Sequence, residues 1–217
     1  GHEFCGTIKQ VGAKWADQFQ PGQRYSVQPA LNYPGREHEA PGYSFQTLGG
    51  NARSVIIPSE VMERDCLLTC EGDSFFKASL SEPVSCIIGA FKTSFHFEQG
   101  QYDHVSGIVE GGALAILAGA GPMGLGAIDY ALHGPNRPGL LVVTDIDQAR
   151  LDRAASIFSP EHAKELGIDL RYVDTSAPDA VTMLKALTPT GGYDDVMVFA
   201  PVAPLITQAS QLLGLNG

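Results

Sequence analysis

No stretch of this sequence reaches the roughly 18 consecutive apolar residues that a membrane-spanning helix needs. The longest candidate, Gly111 to Gly126, is rich in glycine and interrupted by Pro122. No apolar segment near Gly1 carries the basic flank of a secretory leader. Basic residues are scarce as well: 14 Lys and Arg against 24 Asp and Glu leave a net charge of −10. Nucleic acid and anionic membrane surfaces therefore find no electrostatic footprint, and neither is expected as a partner. Cysteine is sparse too. Cys5, Cys66, Cys70 and Cys86 form no paired C-x-x-C motifs, which favours free thiols in a reducing cytosol over a disulfide framework. The expectation is a cytoplasmic protein. Internal repeats and biased tracts are also lacking.

What is present is the material of a packed core. Apolar residues make up 44% of the 217 and charged residues 18%, a balance that excludes a disordered or fibrous chain. That length suits one large domain or two modest ones. The texture changes along the chain. Up to about Ser81, short β-prone runs such as Gly6–Val11, Gln23–Gln28 and Arg53–Pro58 alternate with Gly and Pro, which predicts an all-β unit. From Ala113 onward, apolar strands (113–118, 140–144, 170–173, 196–199) alternate with helical stretches (123–132, 148–157, 178–187, 203–213). That pattern predicts an α/β fold with a parallel sheet covered on both faces. The expected organisation is a β-rich domain over 1–85, a connecting helix and loop over 86–107, and the α/β domain over 108–217.

The strongest single motif is Gly119-Ala120-Gly121-Pro122-Met123-Gly124. It follows an apolar strand and opens a helix, the context in which G-x-G-x-x-G signals a dinucleotide site. Gly119 permits the tight turn, Gly121 lets backbone approach a pyrophosphate, and Gly124 lets helix and sheet pack closely. The helix N-terminus starting at Pro122 and Met123 then holds the anion. A second strand ends in Asp145, roughly 20 residues further on. An acid there accepts hydrogen bonds from a ribose and repels a 2′-phosphate, so NAD is expected over NADP. Arg150, one turn into the next helix, softens that preference and leaves NADP open.

Other segments fall in a particular order. Gly1-His2-Glu3 is followed by Gly6, Gly12, the Pro21-Gly22-Gln23-Arg24 turn, Gly49-Gly50-Asn51-Ala52 and Ser81-Glu82-Pro83. This order, ahead of the glycine motif, resembles the zinc-dependent medium-chain alcohol and polyol dehydrogenases. The Ala40–Phe45 and Gly107–Gly126 stretches are most similar to the family's sugar-phosphate branch. The resemblance implies a partial GroES-like catalytic domain and a partial Rossmann domain, one catalytic zinc, and hydride transfer between NAD(H) and a polyol or ketose, as its phosphate. It implies His2, Glu3 and Glu82 as metal ligands, with Glu3 also a catalytic residue that exchanges with water, and a homo-oligomer at full length.

The chain departs from the family pattern in three places. The family's zinc-binding Cys precedes Gly-His-Glu, and Cys5 does not substitute for it, so the zinc shell is incomplete. The four cysteines of a structural zinc are lacking around Leu31–Phe45, and no structural zinc is expected. Strands that would complete the cofactor sheet are missing, which marks the chain as a fragment lacking both ends. The remaining histidines (His38, His96, His104, His133 and His162) are expected to be solvent-facing or structural. Arg24, Arg36, Arg53 and Lys92 are unranked candidates for a phosphate anchor. Two other readings stay open: a zinc-free medium-chain reductase of quinones or enones, and a dinucleotide-binding module without catalysis.

Overall fold

A computed structural model describes residues 1–97, 100–215 and 217. The chain divides into two compact units, Gly1–Cys86 and Ile87–Gly217.

In the first unit, β1 (Cys5–Thr7), β2 (Arg24–Val27) and β3 (Leu67–Thr69) form an antiparallel sheet in the order β1-β2-β3. The central strand β2 buries Tyr25, Ser26 and Val27. Its apolar side chains join Ile8, Leu31, Leu48, Val61 and Leu67 in one core. Short helices punctuate the sheet: α1 (Ser59–Glu63), α2 (Phe75–Ser79, capped by the Ser74 hydroxyl) and the start of α3 (Ser81–Thr93). The expectation of an all-β unit is corrected by these helices. Arg53–Pro58, expected as a strand, pairs with no described strand; Pro58 precedes the first residue of α1 and its extended backbone serves as that helix's N-cap.

The second unit opens with the rest of α3, followed by an antiparallel hairpin, β4 (Phe95–Phe97) and β5 (His104–Ser106), where a loop was expected. Two residues of that expected loop, Glu98 and Gln99, lie outside the described residues. Then come β6 (Ala113–Leu117), α4 (Pro122–His133), β7 (Leu140–Asp145), α5 (Gln148–Ile157), α6 (Pro160–Glu165), β8 (Asp169–Asp174), α7 (Ala180–Lys185), β9 (Asp195–Val198) and α8 (Ala203–Leu212). The four strands are parallel in the order β8-β7-β6-β9. Successive strand side chains point to opposite faces, and both faces are buried here. Leu114, Ile116, Leu141 and Val143 pack with Ile128, Ala131 and Leu132 of α4 on one side. Ala115, Leu117 and Val142 pack with Leu184, Tyr193 and Leu212 on the other. The chain runs from β6 outward to β8 and then returns to β9 on the far side of β6. Ligands of such sheets bind at the strand C-terminal ends where this reversal occurs. Among the described residues no helix is long and apolar enough to cross a membrane.

Candidate functional site

The C-terminal end of β6 is built for close approach. Ala118 leaves the strand with φ +52°, a left-handed conformation costly for a residue with a Cβ. Gly119 donates its N–H to Thr144 of β7. Gly121, in extended conformation, is the N-cap of α4 and offers no side chain to its first turn, while Pro122 occupies the start of the helix. A Cβ on Gly124 would lie 2.1 Å from the Gly119 carbonyl oxygen, whereas one on Gly121 would meet nothing within 4 Å. Gly124 therefore serves the packing of helix on strand, and Gly121 leaves open space before uncapped helix amides. That is the cradle an anion takes. The partly buried Met123 side chain packs against the core, so its contribution to the cradle is its backbone amide in the first turn of α4.

Asp145 ends β7 with 6% of its surface exposed. One carboxylate oxygen accepts the N–H groups of Ile146 (2.9 Å) and Asp147 (3.2 Å), and the other accepts that of Ala120 (3.3 Å). The side chain thus ties the glycine loop to the turn after β7, a structural role the sequence reading did not foresee. A carboxylate offers about four acceptor positions, so capacity remains for a ligand hydroxyl. Asp145 also lines a cleft of about 440 Å³ with Ala118, Ile146, Thr175 and Val202, residues at or after the ends of the four parallel strands. Arg150 is not among those walls. It sits exposed on α5, 3.5 Å from Asp147.

In the first unit, side chains far apart in sequence meet. His2 Nε2 lies 3.8 Å from Glu3 Oε1 and 3.5 Å from Glu82 Oε2, and one donor atom from each of the three residues falls within 4.8 Å of the others. Among the described residues this is the one His/Cys/Asp/Glu cluster able to hold a metal ion. Glu82 and His2 are largely enclosed, at 12% and 20% side-chain exposure, and Glu3 is open at 50%. Glu82 sits in the first turn of α3, where the helix dipole favours an acid. The Gly1–His2 backbone is held by hydrogen bonds from Gly50 N–H to the Gly1 carbonyl (2.8 Å) and from the Gly1 amine to the Gly42 carbonyl (3.2 Å). Buried Ser26 links the two arms. Its hydroxyl donates to the carbonyl of Phe4, next to Glu3, and accepts from that of Ser81, next to Glu82.

The surroundings report the negative field. Burial first, and then the charge of Glu82, push the Cys86 thiol up, and its Sγ donates to Glu82 at 3.5 Å. Desolvation, then Glu82 and Glu3, raise the Tyr43 phenol. Cys5, on β1, is also pushed up, by burial and by Cys70, and takes no place in the cluster. The two carboxylates, brought together beside one imidazole, repel each other, and a cation held between them relieves that repulsion. The donor set fits a zinc with three protein ligands and one open position.

Four of the other histidines have structural company. His96 pairs with buried Asp195 at 3.0 Å, His133 with Asp129, and His162 with Glu165, while His104 stacks on Phe95. Of the basic candidates, Arg24 donates to the Gly72 carbonyl and lies over Phe75. Arg36 pairs with Glu39 and Glu60 and lies over Phe45.

The sequence reading missed two residues. Ser26 is a polar residue at a buried strand position, a mismatch visible in Arg24-Tyr25-Ser26-Val27. Tyr43 places its hydroxyl 2.8 Å from His2 Nε2 and stacks its ring on the imidazole at 4.1 Å. Its signal was an aromatic residue directly after a Pro-Gly turn.

Comparison with known proteins bears on both units. No protein-family model matches the chain. It is 51% identical over its whole length to L-sorbose 1-phosphate reductase of Klebsiella pneumoniae, covering 52% of that protein. It is 50% identical to mannitol-1-phosphate 5-dehydrogenase of Aliivibrio fischeri, covering 51%. The chain thus spans about half the length of the curated relatives it matches. Among solved structures, a protein of Sinorhizobium meliloti bound to NADP, provisionally named a zinc-binding dehydrogenase, superposes on 100% of this chain and 58% of its own. The TM-score is 0.70 and the identity 24%. The fold is that of the medium-chain dehydrogenases, a GroES-like β-rich part and a Rossmann-type parallel sheet. The resemblance to the zinc-dependent alcohol and polyol members, drawn from the motifs, is borne out, and both sequence relatives are named for a sugar or polyol phosphate.

Proposed function

We propose that this chain is part of a cytoplasmic zinc- and NAD(P)-dependent oxidoreductase that interconverts a polyol phosphate and the corresponding ketose phosphate. The observation that carries the reading is the meeting of His2 and Glu3, near one end of the chain, with Glu82 at the start of α3. When bound, zinc supplies Lewis acidity to a substrate oxygen and the nicotinamide gives or accepts hydride.

The chain's own residues do the rest. His2 and Glu82, enclosed by the fold, would hold the metal. Glu3, half open to solvent, would complete its shell or take the proton leaving a substrate hydroxyl. The space before Gly121 and the uncapped start of α4 would receive the dinucleotide's pyrophosphate. Asp145 would receive a ribose hydroxyl on its remaining lone pair, which favours NAD. NADP binding in the Sinorhizobium protein keeps the phosphorylated cofactor in the comparison. The intact protein should contain zinc and oxidise NADH with L-sorbose 1-phosphate or a related ketose phosphate. Chelation should abolish that turnover and added zinc should restore it. Metal-free protein that reduces the ketose at the full rate would overturn the zinc role.

A further inference from the structure

Tyr43 is a large aromatic residue left 68% exposed, yet the fold holds it in one place. The Ala40 carbonyl accepts the N–H groups of Tyr43 and Ser44, the Ser44 hydroxyl accepts the Ala40 N–H, and Phe45 packs into the core beneath. Gly42 then presses directly on the metal-site backbone. At φ +82°, a Cβ there would lie 2.5 Å from the Gly1 carbonyl oxygen and 2.6 Å from the His2 Cα. Only glycine permits both that conformation and that approach. This turn sets the Tyr43 ring over the imidazole and its hydroxyl against Nε2.

Nε2 is the ring nitrogen that faces both carboxylates. A metal held by His2 through this nitrogen needs it free, and the Tyr43 hydroxyl stands 2.8 Å from it. We propose that Tyr43 is a gate on the metal site: its hydroxyl stands at the His2 nitrogen and must give way for an ion to be held there. This rests on the metal reading given above.

The test is zinc affinity of the intact metal-depleted protein, measured by competition with a chromophoric chelator, for wild type and Tyr43→Phe. The variant keeps the ring and loses the competing hydrogen bond. It should bind zinc about two- to tenfold more tightly, the range that one net hydrogen bond covers. In wild-type protein, added zinc should also shift the Tyr43 ring resonances, identified by their loss in Tyr43→Phe. Tyr43→Leu, which removes ring and hydroxyl together, should tighten zinc binding as well. Equal or weaker binding by Tyr43→Phe would overturn the gate and leave the metal site standing. Wild-type protein that binds no zinc would overturn both.

Discussion

The Ser81 hydroxyl donates to the Ser26 hydroxyl at 3.2 Å, joining the first residue of α3 to the buried centre of β2. Ser26 in turn donates to the Phe4 carbonyl. One small polar side chain therefore sets the spacing between the arm bearing His2 and Glu3 and the helix bearing Glu82, without touching a ligand. Groups that orient metal ligands typically matter 10- to 100-fold in affinity. Ser26→Ala should weaken zinc binding about tenfold and cost about 1 kcal/mol of stability, because the Phe4 carbonyl loses its side-chain donor while the Ser81 hydroxyl keeps its 2.6 Å hydrogen bond to the Ala78 carbonyl. Chelator competition and urea unfolding check the two effects separately. An unchanged zinc affinity beside lowered stability would restrict Ser26 to packing.

The two glycines at the start of α4 should separate cofactor binding from folding. Gly121→Val adds a side chain to open space in an extended conformation that valine accepts readily. It should lower the thermal midpoint only by the modest cost of a poorer N-cap while weakening NADH binding at least tenfold by filling the cradle. Gly124→Val drives a Cβ into the Gly119 carbonyl. Overpacking of this kind costs about 1–3 kcal/mol or more, so the loss should appear first in the midpoint. Differential scanning calorimetry beside NADH fluorescence titration tests the pair. Equal destabilisation by both would remove the distinction drawn between the glycines.

Where the sequence was informative, several levels of signal agreed. Helix 148–157 was legible to the residue because Asp147 stands ready to cap it and an apolar stripe follows. Strands β6 and β7 are apolar on both faces, as a covered parallel sheet requires. Elements that escaped notice were too short to build a period. The single-turn helices α1 and α2 have five residues each. The hairpin of β4 and β5 has three-residue strands, stabilised by Phe95, Phe97 and His104 stacking across it rather than by alternation. Helix α6 had a readable start, Ser159 before Pro160 and Glu161, with the Ser159 hydroxyl accepting the His162 N–H. Arg53–Pro58 misled in the opposite sense, since β-prone residues form a strand only where a partner edge reaches them. For the site, the glycine motif was legible from local context. The company of His2, Glu3 and Glu82 rested on resemblance alone, because a contact across most of the first unit leaves no periodic trace.

Asp145 carries a double load, and its substitution should show both parts. Three backbone N–H groups lose their acceptor in Asp145→Ala, in a place almost closed to water. Each unsatisfied buried group costs about 1–3 kcal/mol, so the variant should be destabilised by at least that much. NAD binding should weaken at the same time, and NADP binding should weaken less, because the carboxylate that repels a 2′-phosphate has gone. Titration with each cofactor, below the unfolding range of the variant, measures the ratio. A ratio of NAD to NADP affinity that does not move would confine Asp145 to holding the loop.

Alkaline stability should depend on Tyr193. Its ring is fully buried and its hydroxyl donates to the Leu184 carbonyl at 2.9 Å. Burial pushes its pKa up to about 12, slightly opposed by Arg171, from an ordinary value near 10. The folded chain therefore holds this proton more tightly than the unfolded one. The resulting stabilisation is complete below about pH 10 and is lost as pH rises towards 12, about 3 kcal/mol in all for a shift of this size. Tyr172, also raised by burial, contributes in the same direction, so Tyr193→Phe should flatten the alkaline loss without abolishing it. At pH 8 the variant should be less stable than wild type by about 1 kcal/mol, the net worth of the missing hydrogen bond. Urea unfolding of both proteins at pH 8, 10 and 11 should show that gap closing as pH rises, because only the wild type has the Tyr193 proton to lose. A gap that stays constant would assign the alkaline transition to other groups.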